Sequence, residues 1–356
     1  MSKVFKKMNF QLPSEVILTD AFRLGEGMIF SYDDARKFLL TDNHGKNMVD
    51  RLISYLICLK IISPLRPKWS ESLLNAVDMY YSSLKYYFKD DYKNALRIVS
   101  TKSESIMSVD FPRTLGWFNE MAPTIGAEIS KEIDVLEIIS RIFAILEREH
   151  PELQYTQGFD RYAYSFFAMA LSFCQKGSLP IEFGEAITYH LVCNTISLLP
   201  MTKLLDDQQK LMEHFDRLDK VLMNYDYQKY KLLTDFNASI LFFGVRFEML
   251  LFADEHSFEE NLRIWDQIFG RLESYEYMIN AFTLAHVHQA KIEDDCPNVL
   301  ESILHNQKWD VDKLILDANA LLHHQKSIKE TLCEACCPKL TRFHGYSIAS
   351  DFVFFE

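Results

Sequence analysis

Two short polar stretches, each with a Gly or Pro and each expected at a helix junction, interrupt long apolar runs, and both carry residue types suited to phosphate chemistry. The first is IMSVDFPRTLGWF, residues 106–118, where Asp110, Pro112, Arg113 and Thr114 sit between apolar segments. Asp110 and Arg113 are three apart, so in a helical turn they share one side and can pair. Pro112 fixes φ immediately before the arginine and stiffens the point from which that side chain projects. A guanidinium with a carboxylate behind it can hold a cation for a phosphate, although the same pair also makes an ordinary ion pair in a core or at a rim.

The second stretch is Tyr155-Thr156-Gln157-Gly158, within HPELQYTQGFDRYAYSFF. Gly158 lets the backbone turn tightly or approach another molecule closely. Asp160 is expected to cap the helix that follows. Gln157 then lies beside the positive end of that helix, where orphan N–H groups favour anions. Its amide can hold a water, accepting through oxygen and donating through nitrogen, or it can satisfy backbone at the helix start. An arginine that neutralises a transferring phosphoryl group and a glutamine that orients the attacking water are the two elements of assisted GTP hydrolysis.

The elements that must position these residues read as helices. Eleven Gly and ten Pro in 356 residues fall below the usual ~7% and ~5%, fewer than short strands with tight turns would need. SYDDARKFLL opens with the capping residue Ser31, and KNMVDRLISYLICLK spaces Met48, Leu52, Ile53 and Leu56 helically. KWSESLLNAVDMYYSSLKYYF continues the pattern. KEIDVLEIISRIFAILEREH is apolar nearly all round, which predicts a central helix ending at His150 before Pro151. EFGEAITYHLVCNTISLLP, DDQQKLMEHFDRLDKVLMNY and ASILFFGVRFEMLLF are further predicted helices. SFEENLRIWDQIFGRL begins with a capping-box spacing, Ser257 to Glu260, and DVDKLILDANALLHH aligns Val311, Leu314, Ala318 and Leu321. The expected fold class is all-α. A helical leader over 1–60, a central domain over 61–290 and a helical extension over 291–356 are the expected divisions.

Bulk properties exclude several functions. Apolar residues at 48% and charged ones at 25% give an ordinary globular balance, and a net charge of −12 argues against general affinity for nucleic acid. Seven cysteines and a start without a signal sequence predict reduced thiols and a cytoplasmic protein. The two most apolar runs carry Lys60, and Arg246 with Glu248, so no integral membrane segment is expected.

With the elements in place the resemblance becomes specific. VDFPRT is similar to the arginine motif IxxDxxR of the TBC domain family, the activators of Rab GTPases, and YTQG to its glutamine motif YxQG. ISPLRPKWSESLL, HPELQYTQGF and FEENLRIWDQIF resemble other family segments, in the family's order, across about residues 60–285. The departures are Met107 for Ile, Phe159 for Met and Asp160 for Asn. The resemblance implies a two-lobed multi-helical fold and a Rab-family small GTPase as partner. It implies that Arg113 and Gln157 act in trans as arginine and glutamine fingers. Asp110 would brace Arg113, with Thr114 beside it, while Tyr155 and Gly158 would shape the Gln157 loop. No cofactor of its own is implied, because the partner carries GTP and Mg²⁺. The implied setting is vesicle trafficking, with the chain peripheral on endomembranes through the GTPase. A catalytically silent scaffold or adaptor of the same fold is the alternative.

Other signals carry less. Cys333, Cys336 and Cys337, with His323, His324 and His344 near in sequence, lack a second CxxC pair for zinc. His286 and His288 are two apart and point to different sides of a helix. RLGEGMIF has no Lys-Ser/Thr after its glycines and is not a phosphate loop. Trp69, Trp265 and Asp266 are expected to be structural. The basic start with Lys3, Lys6 and Lys7 is expected to fray, and the apolar end YSIASDFVFFE to dock.

Overall fold

A computed structural model describes residues 13–41, 45–89, 94–292, 303 and 307–336, with side chains as far as residue 323. Helices are the only regular elements among the described residues. The basic start, Cys333, Cys336 and Cys337 with His324 and His344, and the apolar end lie outside the described side chains. The chain divides into two compact units, residues 1–215 with 240–276, and residues 216–239 with 277–356.

The first unit opens with α1 (Glu15–Phe22), α2 (Tyr32–Leu40) and α3 (Met48–Cys58). Ser31 caps α2 as its sequence predicts, accepting from the Asp34 amide at 3.1 Å. Next come α4 (Trp69–Phe88), α5 (Thr101–Met121), α6 (Val135–Glu149), α7 (Asp160–Lys176), α8 (Ile181–Leu198), α9 (Pro200–Leu204) and α10 (Gln208–Tyr225). The chain leaves the first unit within α10 and passes through α11 (Tyr227–Asp235). It re-enters for α12 (Leu241–Met249) and α13 (Phe258–Phe269), followed by α14 (Tyr275–Gln289) and α15 (Val311–Cys336).

The core of the first unit is built on α7. Every residue from Tyr162 to Cys174 is buried, and the helix packs against α3, α5, α6 and α8. α6 is also buried along most of its length and ends at His150, where Pro151 disfavours another helical residue. Of the leader helices, α3 is fastened to α13 by one carboxylate. Asp266 on α13 pairs with Lys46 at 2.9 Å and Arg51 at 3.1 Å, and accepts from the Tyr55 hydroxyl at 2.9 Å. All four side chains are buried. The structural reading of Trp265 also fits its burial, with the indole N–H donating to the Leu251 carbonyl at 3.0 Å. Trp69 is buried edge-on against Phe22.

Two segments differ from their sequence-based expectation. ASILFFGVRFEMLLF is not one helix, because α12 ends at Met249 and the backbone turns left-handed at Leu251 and Phe252, with φ of 42° and 65°. That conformation is rare for bulky residues, and here it aims the Leu251 carbonyl at Trp265. IMSVDFPRTLGWF does not lie at a helix junction. Pro112 is inside α5, which runs unbroken from Thr101 to Met121. α13 begins with the expected capping box, Glu260 accepting from the Ser257 amide at 3.0 Å.

In the second unit, α15 buries Val311, Leu314, Ala318 and Leu321, the stripe its spacing predicts. His288 pairs with Asp226 at 2.6 Å, whereas His286 faces the Phe282 carbonyl and the Trp309 ring. The two imidazoles therefore point to different partners. No cluster of metal-ligating side chains occurs among the described residues.

Candidate functional site

α5 is amphipathic around its proline. Met107, Asp110, Phe111, Thr114 and Phe118 are buried, while Arg113 is exposed. Pro112 has no amide hydrogen for the Ser108 carbonyl one turn back, which removes one helical hydrogen bond just ahead of Arg113. Packing holds the helix together regardless. Phe111 lies against Phe143, Phe118 against Tyr164 and Phe167, and the Tyr164 hydroxyl donates to the Phe111 carbonyl at 2.8 Å.

The glutamine stretch forms a tight turn. The Phe159 amide donates to the Thr156 carbonyl at 3.0 Å, so residues 156–159 close a four-residue turn with Gln157 and Gly158 at its centre. Gly158 has φ of +95°, and a Cβ there would meet a methyl of Leu250 at 2.7 Å. Both reasons for a glycine, positive φ and close approach, hold at this position. Gln157 is exposed at the apex, and its amide makes no hydrogen bond to the described residues. Tyr155, two residues earlier, is buried edge-on against Phe111 and Phe143.

One carboxylate connects the two stretches. Asp110 accepts from Arg113 Nη2 through Oδ1 at 2.6 Å, and from the Tyr155 hydroxyl through Oδ2 at 3.2 Å. It is buried with a side-chain exposure of 3%, against 61% for Arg113. A buried anion thus holds one terminal nitrogen of an exposed guanidinium with one oxygen and the root of the glutamine turn with the other. Burial drives the Tyr155 phenol far above its ordinary pKa, and the charges of Asp160 and Asp110 add to the effect, so it remains a donor.

Asp160 departs from expectation. It does not cap α7. The capping position is Phe159, without a side-chain hydrogen bond, and Asp160 is the first helical residue. Its carboxyl is turned inward at 1% exposure, and Oδ2 has no hydrogen-bond partner. Burial raises its pKa; the Thr114 hydroxyl opposes this, the Asp110 charge adds to it, and the Tyr155 hydroxyl opposes it. The physical reason is competition from side chains: the Asp160 carboxyl turns to the Thr114 and Tyr155 hydroxyls instead of reaching back to the free amides.

Arg113, Thr114, Gln157 and Gly158 line one open groove of about 690 Å³. Its other wall is α12 with the segment behind it. There Arg161 pairs with Asp254 at 3.0 Å and stacks over Trp117 at 4.6 Å. Arg246 lies 3.2 Å from Glu255 and 3.6 Å from Asp254. The Arg246–Glu255 approach is close enough for an ion pair but is not aligned as a hydrogen bond. Burial pushes the Glu255 carboxyl up to about 7, against the opposing pull of Arg246. Sequence reasoning did not single out Arg161, Arg246 or Phe242. The available signal was the spacing of 242, 245, 246 and 249 on one helical face, hidden inside an otherwise apolar run.

The profile of the Rab-GTPase-TBC domain matches residues 63–293, well over half of the chain. The chain belongs to the Rab-GTPase-TBC domain family. The fold agrees with this membership. The crystal structure of the Ypt/Rab-GAP domain of Gyp1p superimposes with a TM-score of 0.64, covering 92% of this chain and 100% of that one at 14% identity. No curated relative matches the sequence at a significant level. Within the TBC domain, Arg113 and Gln157 line one groove, and Asp110, Thr114, Tyr155 and Gly158 lie at it or directly behind it. No described helix is long and apolar enough to cross a membrane.

Proposed function

We propose that this TBC protein accelerates GTP hydrolysis on a Rab-type GTPase by supplying a guanidinium and an amide in trans. The observation that supports the reading best is the division of Asp110, one oxygen to Arg113 and one to Tyr155, beside an open groove. Arg113 neutralises charge developing between the β- and γ-phosphates, and its exposed side chain is free to reach them. Asp110 holds one terminal nitrogen of the guanidinium, so less rotamer entropy remains to be lost on engagement of its other donors. Gln157 orients the attacking water, accepting one hydrogen and donating another. The turn around Gly158 presents this amide to the groove without an internal partner. GTP and its Mg²⁺ belong to the partner, and the chain brings no cofactor. An arginine of this kind is worth ~10³–10⁵ in rate, roughly 4–7 kcal/mol of barrier.

By switching off a Rab-type GTPase the protein would end a step of vesicle trafficking. It would act from the cytoplasm, held at endomembranes through its partner. The test is single-turnover hydrolysis by a panel of GTP-loaded Rabs with wild type, Arg113→Ala and Gln157→Ala. Wild type should accelerate at least one of them. Arg113→Ala should lose about 10³-fold or more, and Gln157→Ala about 10²-fold, the usual loss when one positioned donor is removed. Equal rates for all three proteins would refute the assignment, and tight binding without acceleration would make the chain a silent scaffold.

A further inference from the structure

The groove has a wall that the chemistry of Arg113 and Gln157 does not use. Phe242, Val245, Arg246 and Met249 occupy positions i, i+3, i+4 and i+7 of α12, so a single helical face lines the cavity. Phe242 is 57% exposed, a phenyl left in solvent at the mouth of a functional groove.

This wall is fixed from behind. A Cβ on Gly244 would lie 2.5 Å from the Phe215 ring, so α12 already sits as close to α10 as a glycine allows. One turn later Glu248 meets His214 at 2.8 Å, both fully enclosed. The Tyr162 hydroxyl donates to the Met249 carbonyl and ties the end of α12 to α7. With those contacts in place, α12 has no room to withdraw and hide Phe242. The face is therefore preformed, which lowers the ordering penalty of binding.

Its charge is also directional. Arg113, Arg161 and Arg246 all face the groove. Asp110 and Glu255 lie behind Arg113 and Arg246 at 3% and 4% side-chain exposure, and Asp160 is 1% exposed, so Asp254, at 26% between Arg161 and Arg246, is the one accessible carboxylate against three guanidiniums of the lining. The entrance thus presents cations in a chain whose net charge is −12. A ligand that meets the wall should offer an apolar side chain with a carboxylate nearby.

We infer that the α12 face selects the GTPase, receiving an apolar side chain of the partner against Phe242 and Val245 and an acidic one against Arg246. The inference rests on the proposed activity. A nucleotide engaged by Arg113 and Gln157 brings the protein surface around it over the remainder of the same groove, and α12 is that remainder. The wall then governs how tightly the partner is held, while Arg113 and Gln157 govern how fast it reacts.

The experiment titrates wild type, Phe242→Ser, Arg246→Glu and Arg113→Ala against the best GTP-loaded Rab of the panel under single-turnover conditions. Binding of the same GTPase, loaded with a non-hydrolysable GTP analogue, is measured in parallel. Phe242→Ser alters an exposed side chain and does not endanger folding, and circular dichroism controls for Arg246→Glu. Each of these two should raise the half-saturating concentration about tenfold, with a much smaller change in maximal rate, whereas Arg113→Ala should lower the maximal rate. Replacing the partner's matching acid by lysine should restore binding to Arg246→Glu. Wild-type acceleration with unchanged half-saturation in both variants would overturn this inference alone. A wild-type chain that neither binds nor accelerates any GTPase would overturn the inference and the proposed activity together.

Discussion

Asp110 and Asp266 occupy corresponding chemical situations with opposite consequences. Each is a buried aspartate that accepts from a tyrosine hydroxyl and pairs with a basic side chain. Asp266 meets Tyr55, Arg51 and Lys46, and both cations are enclosed at 7% and 5% exposure. Asp110 meets Tyr155 and Arg113, and this cation stands 61% in solvent. The first network is closed. Its charges neutralise one another, and its product is the attachment of α3 to α13. The second is open at the guanidinium, whose remaining donors face a groove. Residue chemistry alone does not separate a fastening from a site; the exposure of the cation does.

The comparison is tested most strongly by removing its exposed member. Arg113→Ala should abolish about 10³-fold or more of the GTPase acceleration, yet destabilise less than removal of Asp266, because the cation removed stands in solvent and the buried Asp110 carboxylate keeps the Tyr155 hydroxyl. Asp266→Ala should do the reverse. Leaving Lys46 and Arg51 buried without their anion should destabilise by about 3–5 kcal/mol, measurable by urea denaturation, with activity per folded molecule largely kept. If Asp266→Ala were stable but inactive, the distinction drawn between the two aspartates would fail.

A third pair, Arg246 with Glu255, lies between these extremes and predicts a pH dependence. The Glu255 carboxyl is raised from 4.5 to about 7 by burial, so the folded state binds a proton the unfolded state has already released. Its contribution to stability is present below about pH 4.5 and is lost as pH rises toward 7, by up to about 3 kcal/mol. Glu255→Gln should remove that slope from a series of denaturation curves across this window. An unchanged slope would show that the carboxyl titrates normally. The smallest effect is expected for Tyr155→Phe, which deletes one hydrogen bond to Asp110 and should destabilise by about 1 kcal/mol. Its activity should fall less than that of Gln157→Ala, since the turn keeps its glycine and its packing.

Much of the architecture was legible because helices announce themselves locally. Ser31, the Ser257–Glu260 box and the Val311–Leu321 stripe each act within a few residues of chain, and each appears as expected. The errors came where a local rule competed with packing. ASILFFGVRFEMLLF has an unbroken helical composition, but the contact with Trp265 bends it after Met249. Asp160 has the right type and place for a cap, yet its side chain turns inward to the Thr114 and Tyr155 hydroxyls. Pro112 suggested a helix junction, whereas burial of Phe111 and Phe118 carries the helix through it.

The sequence alone determined the helical class, the order of most elements, the candidates Arg113 and Gln157, and the pairing of Arg113 with Asp110. These follow from spacing and side-chain chemistry over a turn or two of chain. Only the tertiary structure decided that Asp110 also reaches Tyr155, forty-five residues away in sequence. It alone placed Arg113 and Gln157 in one groove with α12 opposite, and left Arg113 outside while Arg51 is sealed within. Exposure and convergence depend on how distant segments pack, and no short stretch of chain contains that information.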